Sequence, residues 1–401
     1  MNNYYSILFT IILLFSCSNY AFNQELAPTT RIHNGDKVQL LANKNLRYLE
    51  LTGTPYQRGY AHGTQLKEEI KEVIQLFKED IRKNTNEDPN AFISKFLKLT
   101  DFKSEIQKQT PHLLEELRGI SEGSGIDMET IFMHQLGDEY WFNTNDIMAH
   151  HCSSFGVNKQ GNQPSMTAQN MDIPTFYHGF QTVIKIIDPD SDMEMMMLTI
   201  PGHLGITGMN NKSVSINCNT LMQLNYGKTG LPVTFIVRGV VEKNTQKEAL
   251  QFLDDIKHAS GQNFIIGGPE NVHSMECSAN TIAEYRPFEK SKYTYHTNHP
   301  MANTDYSISY VEYLKKNNVT IEEGLNQCLR IRSFRQRFTD NNQNITLEDI
   351  KDVLRARDTE SPDVVSNSHT YASVIYILSD TPKFIIAPGQ PHKTDYIEIK
   401  L

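Results

Sequence analysis

From residue 66 apolar side chains recur at Leu66, Ile70, Val73, Phe77 and Ile81 with charged residues between them. Steps of three and four put these five on one face, so the pattern predicts an amphipathic helix. Helical spacing returns at about 91–108, at 111–122 with Pro111 at its start, and at 127–137. The chain before Cys152 therefore reads as mainly helical.

At "MAHHCSSFGV" the texture changes. "CSSFGV", "PSMTAQNMD", "FQTVIKII", "MEMMMLTI", "GITGMN" and "SVSINCN" are short apolar or alternating runs cut by Gly, Pro, Asn and Asp, which predicts antiparallel strands. "VTFIVRGVVEKN" and "QKEALQFLDDI" read as two helices, after which "NFIIGG", "HSMECS", "TIAEYRP" and "KYTYHTNH" return to strands. Helical segments at about 320–340 and 346–356 precede the closing strands "TYASVIYILSD", "KFIIAPG" and "DYIEIK". Long runs of strands with helices inserted predict an α+β fold of stacked antiparallel sheets flanked by helices, not βαβ units. No repeat and no Gly- or Pro-rich linker separates the halves, so Cys152 does not mark an ordinary domain boundary.

Composition narrows the partners. The 401 residues carry a formal net charge of −9 with 21% charged residues, and their Lys and Arg form no block. Phosphate binding needs such a block, which argues against nucleic acid and leaves a small-molecule or lipid-like partner, neutral or cationic. The opening "MNNYYSILFTIILLFSCSNYAFNQ" has an apolar core too short to span a bilayer and fits a signal peptide ending at Ser18. The chain is then expected to be secreted or lysosome-like. "LFSC" gives a rival reading, a bacterial lipoprotein anchored through Cys17. Sequons at Asn211, Asn318 and Asn344 are glycan acceptors if the pathway is eukaryotic.

Cys152 then becomes the centre of the chemistry. A thiol with pKa about 8.5 needs a base, and cutting the chain just before it frees an α-amino group of pKa about 7.7–8.0 to serve as one. The cut, between His151 and Cys152, would give a helical chain 19–151 of roughly 15 kDa and a strand-rich chain 152–401 of roughly 28 kDa, at about 110 Da per residue, together one domain. "CSSFGVNKQGNQPSMTAQNMD" reads as strand, turn and returning strand, which brings Asp172 back toward Cys152 to orient the amine. In "YHTNHP", Asn298 ends a strand and offers a side-chain N–H to an oxyanion.

"GTPYQRGYAHG", "HHCSSFGV", "AQNMD", "PVTFIVRGVVEKNTQKEAL", "YTYHTNHP" and "TYASVIYILSD…IIAPGQP", in this order from about residue 47 onward, resemble the isopenicillin N acyltransferase family of N-terminal nucleophile hydrolases. Acid ceramidase and N-acylethanolamine amidase look like more distant relatives, and exported acid-ceramidase-like amoebal proteins suit the leader and the sequons. The resemblance implies a four-layer αββα sandwich, self-cleavage before the nucleophile and an acyl-enzyme formed from a linear amide, with no cofactor. It casts Cys152 as nucleophile, Asp172 as its carboxylate partner and Asn298 as the oxyanion donor. A later family Arg corresponds to Arg332 or Arg335 in "RIRSFRQRF", with Arg332 taken as the site residue. Two departures stand out. Gln169 occupies a position that is often Arg in the ceramidase and bile-salt-hydrolase branches, and His151 replaces the Gly that many relatives have before the nucleophile.

Blander readings sit beside these. Cysteines at strand starts are usually buried hydrophobes, and Cys218, Cys277 and Cys328 read that way, with room for one disulfide. Asp172 alone would be a turn residue, Asn298 a turn opener and Arg332 part of a solvated helix face. "HHC" and "HTNH" raise a zinc-dependent hydrolase, although HExxH is absent and no known ligand spacing appears. "MEMMM" reads as core or as the wall of an acyl pocket. The rival from a different class is a secreted binding glycoprotein on the same fold without turnover.

Overall fold

The computed structural model describes residues 39–41, 45–144, 152–340 and 343–401. Two sheets form its centre. A nine-stranded sheet runs in the order β1 (Gln39–Leu41), β2 (Leu46–Thr52), β5 (Thr182–Ile187), β6 (Glu194–Thr199), β7 (Thr207–Asn210), β8 (Ser215–Thr220), β9 (Gln262–Gly267), β10 (Val272–Cys277), β11 (Ile282–Tyr285). A six-stranded sheet has the order β12 (Tyr293–His296), β3 (Ser153–Val157), β4 (Ser165–Asp172), β13 (Thr370–Leu378), β14 (Lys383–Ala387), β15 (Ile397–Lys400). All the pairings are antiparallel except β2 with β5.

The sheets stack face to face, and their inner faces are partly polar. Ser154 Oγ donates to Asn219 Oδ1 at 2.8 Å, and the hydroxyls of Thr167 and Ser215 meet at 2.8 Å. Gln169 pairs with both backbone groups of Cys218, donating to its carbonyl and accepting from its amide. Each bridge satisfies a polar group that would be costly to bury alone. Outside the nine-stranded sheet pack α1 (Pro55–Gln65), α8 (Val233–Val241) and α9 (Gln246–Asp255). Outside the six-stranded sheet pack α12 (Leu329–Arg337) and α13 (Leu347–Leu354), around Phe155, Phe334, Phe338 and Ile350. The result is the four-layer αββα sandwich.

The predicted helix through residue 66 is α2 (Lys67–Thr85), whose Ile70, Val73, Phe77 and Ile81 are buried. The stretch 91–108 divides at Thr100 into α3 (Pro89–Leu99) and α4 (Phe102–Gln109), because Asp101 caps the second helix by accepting from the Ser104 amide. α5 (Pro111–Ser124), α6 (Met128–His134) and α7 (Gly137–Thr144) follow. The mainly helical reading of the first part missed β1 and β2. β1 pairs with β2, and β2's other partner β5 lies more than a hundred residues away, a pairing that local periodicity does not register. Also unforeseen was α10 (Ile308–Lys316), a short helix whose Ile308 is largely exposed. The 320–340 segment breaks into α11 (Ile321–Leu325) and α12. Met195, Met196 and Met197 on β6 are buried in the main core, the plainer of the two readings of that run.

Residues Lys37–Leu401 cluster as one unit, so the change of texture at Cys152 divides no domain. The leader, Cys17 and His151 lie outside the described residues. Among the described residues no helix is long and apolar enough to cross a membrane. Asn318 and Asn344 are exposed, whereas Asn211 is tied at both ends of its amide, donating to the Asp192 carbonyl and accepting from the Glu194 amide.

α1 and α5 touch backbone to backbone through Gly59 and Gly63 on one helix and Gly119 and Gly123 on the other. A Cβ at Gly59 would lie 1.9 Å from the Glu116 carbonyl oxygen. Gly59→Ala is therefore expected to destabilise the fold by about 1–3 kcal/mol or more in urea unfolding. Gly137→Ala, with nothing within 4 Å of the new methyl, should change stability little.

Candidate active site

Hairpin register creates the site. β3 and β4 pair Ser153 with Asn170, so one step further Cys152 stands beside the end of β4. Its Sγ lies 3.5 Å from both the amide nitrogen and the carbonyl oxygen of Asp172. On the other side β3 pairs with β12, His296 opposite Ser154, which carries Asn298 alongside as the chain leaves the sheet. Cys152, Asp172 and Asn298 are thus gathered at one end of the six-stranded sheet, all of them buried.

Arg330, at the start of α12, links Cys152 to Asn298. Its Nη1 donates to the Cys152 carbonyl at 2.5 Å and to Ser153 Oγ at 3.2 Å, and its Nη2 donates to Asn298 Oδ1 at 3.2 Å. Its Nε bonds Asp363 Oδ1 at 2.7 Å, and the other Asp363 oxygen accepts from the Leu329 amide. Arg332 does not reach the site; it is exposed, with Nη2 on the Asn326 carbonyl. Helical geometry explains the difference, since at about 100° per residue Arg330 lies near the face of Phe334 while Arg332 points nearly opposite. The buried stripe of Ile331, Phe334 and Phe338 was visible in the sequence and speaks against Arg332, which lies on the far side of the helix from it. Arg335 is also exposed, beside Tyr285 and Tyr295 in a cavity of about 440 Å³.

Asn367 and Asn219 are further neighbours that sequence reasoning missed. Asn367 Nδ2 donates to Asp172 Oδ2, while Asp172 Oδ1 has no hydrogen-bond partner among the described residues. Asn219 accepts from Ser154 and leaves its own Nδ2 buried without a partner there. Neither residue lies in a motif that spacing alone would flag. Gln169, where an anion-binding Arg was a family expectation, is spent on stapling the sheets. Asn298 Nδ2 donates one proton to the Thr220 carbonyl at 3.0 Å and keeps a second.

The electrostatics suit an uncut chain at rest. Burial, reinforced by the negative charge of Asp172, pushes the Cys152 thiol up to about 12 against the opposing pull of the Asp172 amide and Arg330. Burial also raises Asp172 to about 7, although Arg330, Thr370 and Asn367 draw it the other way. A second thiol behaves oppositely. At Cys328 burial is outweighed by Arg330 and His299, which bring it down to about 6. Cys152, Cys218, Cys277 and Cys328 are all free and buried, so no disulfide forms among the described residues. No three His, Cys, Asp or Glu side chains come together there as a metal site, and His296 of "HTNH" is engaged by Glu276.

Comparison with known proteins places this arrangement in a class. The model of the acyl-coenzyme A:6-aminopenicillanic acid acyl-transferase family matches residues 158–388, more than half the chain, taking in Asp172, Asn298 and Arg330 and beginning six residues after Cys152. The chain belongs to that family. Among relatives, the 40 kDa form of acyl-coenzyme A:6-aminopenicillanic-acid-acyltransferase of Emericella nidulans is 23% identical over 252 residues, 63% of this chain and 68% of that protein. Protein dcd1A of Dictyostelium discoideum is 36% identical over 101 residues, which is 21% of this chain and 23% of that one. Solved structures of similar fold include an N-acylethanolamine-hydrolyzing acid amidase ortholog of Caenorhabditis elegans (TM-score 0.41, 15% identity, 56% of this chain and 92% of that one). Penicillin V acylase of Agrobacterium tumefaciens is another (TM-score 0.38, 13% identity, 62% and 86%).

Asp172 gives a pH test. Its pKa is raised from an unfolded value near 3.9, so the folded state holds the proton more tightly, and its contribution is complete below about pH 4 and lost as pH rises through 7. In a Cys152→Ala background, Asp172→Asn should gain on its parent by on the order of 3–4 kcal/mol between pH 4 and pH 8 in denaturant titrations. A gap that stays flat across this range would show that Asp172 does not carry the raised pKa.

Proposed function

We propose that the chain is an exported, self-processing N-terminal nucleophile cysteine hydrolase that cleaves a linear N-acyl amide through an acyl-enzyme on Cys152. The observation that carries this reading is the open Oδ1 of Asp172, a buried carboxylate oxygen next to the residue whose α-ammonium would appear on cleavage. In the intact chain Cys152 is a protonated thiol. Cutting the bond after His151 supplies the missing base and a cation for Asp172 in one step.

In the mature protein the Cys152 α-amine takes the thiol proton as sulfur bonds to the substrate carbonyl carbon. The resulting oxyanion is met by the second Nδ2 proton of Asn298, with Asn219 Nδ2 as a further donor. Collapse breaks the carbon–nitrogen bond, the α-ammonium returns the proton to the leaving amine, and a thioester remains on Cys152. Water, or a second amine if the enzyme transfers acyl groups, releases the acyl chain. Arg330 acts as a positioning residue that fixes the Cys152 carbonyl and the Asn298 amide oxygen.

The two processed chains stay associated, because β2 from the first lies between β1 and β5, the latter from the second, within one sheet. Removal of residues 1–18 and glycosylation at the exposed Asn318 and Asn344 belong to the same reading. The substrate is a small or lipid-like amide.

Electrophoresis and N-terminal sequencing test the proposal. Purified protein should yield fragments of roughly 15 and 28 kDa with a new terminus at Cys152, at about 110 Da per residue. Cys152→Ala should remain whole, Arg332→Ala should process normally, and Arg330→Ala should process slowly or not at all. An intact wild-type chain that hydrolyses N-acyl amides would overturn self-processing. Electrophile labelling should be mapped by peptide, because Cys328 also has a lowered pKa; label confined to Cys328 would remove Cys152 as nucleophile.

A further inference from the structure

Beneath the loop that carries Asn298 lies a carboxylate that the mechanism has not used. Glu276, on β10 of the nine-stranded sheet, is fully buried. Its Oε1 accepts from His296 Nε2 at 2.7 Å and from the Met301 amide at 2.6 Å. Its Oε2 accepts from the Ala302 amide at 2.9 Å and the Asn303 amide at 2.6 Å. Asn303 Nδ2 closes the arrangement on the Glu276 carbonyl at 3.0 Å. His296 is equally buried, and its Nδ1 lies 2.7 Å from the Thr297 carbonyl. Its two ring nitrogens thus face the Thr297 carbonyl and the Glu276 carboxylate. Burial would raise Glu276, but the bond and charge of His296, with the Asn303 and Met301 amides, outweigh it and keep the carboxylate ionised.

The segment 297–303 is therefore pinned at both ends to one side chain of the opposite sheet, and Asn298 lies inside it. We propose that Glu276 and His296 are positioning residues for Asn298: the hydrogen-bonded pair fixes the turn so that the second Nδ2 proton of Asn298 is presented beside Cys152. This inference rests on the oxyanion role proposed for Asn298. A buried anion that gathers three successive amides and an imidazole is more than packing requires of a loop. Misplacing a catalytic group by about 1 Å costs about a hundredfold in rate, which is the size of effect to look for.

The test is a double-mutant cycle on processed enzyme, reading the rate of nitrophenolate release from 4-nitrophenyl acetate as Cys152 is acylated. Asn298→Ala should slow acylation by about 100- to 1000-fold. Glu276→Gln should slow it by about 30- to 100-fold with little change in half-saturation, and the double variant should be no slower than Asn298→Ala alone. Losses that multiply, or a Glu276→Gln rate equal to wild type beside a slowed Asn298→Ala, would overturn this inference alone. An Asn298→Ala rate equal to wild type would remove the oxyanion assignment and this inference with it. His296→Gln guards against misfolding of Glu276→Gln, because it keeps the carboxylate and its three amides and removes only the imidazole. Its smaller loss, about 3- to 10-fold, should likewise vanish in the Asn298→Ala background, and persistence there would count against the proposal.

Discussion

The candidate site is organised around one buried guanidinium. Arg330 carries its charge into an interior where ions are expensive, and four groups offset that cost: the Asp363 carboxylate, the Cys152 carbonyl, the Ser153 hydroxyl and the Asn298 amide oxygen. Two strands and a helix are tied together by this arrangement, because β3, the end of β12 and the start of α12 each contribute a partner or the arginine itself. Removing the arginine would leave Asp363 facing inward without its charge partner, so geometry and stability depend on the same contact.

Around this centre the candidate nucleophile and its carboxylate neighbour are held in unreactive forms. Burial makes Cys152 a thiol and leaves Asp172 close to half protonated near neutrality. A cation at the chain terminus would reverse both tendencies, by stabilising the carboxylate and giving the sulfur proton somewhere to go. Under the proposed function, the uncut chain can therefore contain every side chain the reaction needs and still be quiet. The nearby Cys328 shows how specific this is, since the same Arg330 with His299 draws that thiol down instead.

The sandwich itself explains how such a site stays in place. Its two sheets meet across side chains that hydrogen-bond as well as pack, with the Gln169 amide on β4 bonded to both backbone groups of Cys218 on β8. These bridges fix one sheet against the other, because sliding either would strand buried polar groups. Glu276 extends the same device to a loop, reaching from the nine-stranded sheet to hold the turn that follows β12.

Periodicity and turn chemistry settled much of this before any tertiary contact was known. Alternation in "CSSFGV" and "PSMTAQNMD", with a turn between them, already placed Asp172 next to Cys152, because a hairpin's register follows from its loop. The ordered motifs gave the family, and with it Asn298. What was not legible depends on contacts between distant segments. β2 pairs with β5 across the whole helical region, Asn219 and Asn367 meet the site from elements far along the chain, and Arg330 is distinguished from Arg332 by which side of one helix turns inward. Local sequence determines which residues share a strand or a helical face, but only the folded chain decides which faces meet, since that choice is made by burial and by polar groups finding partners across the interior.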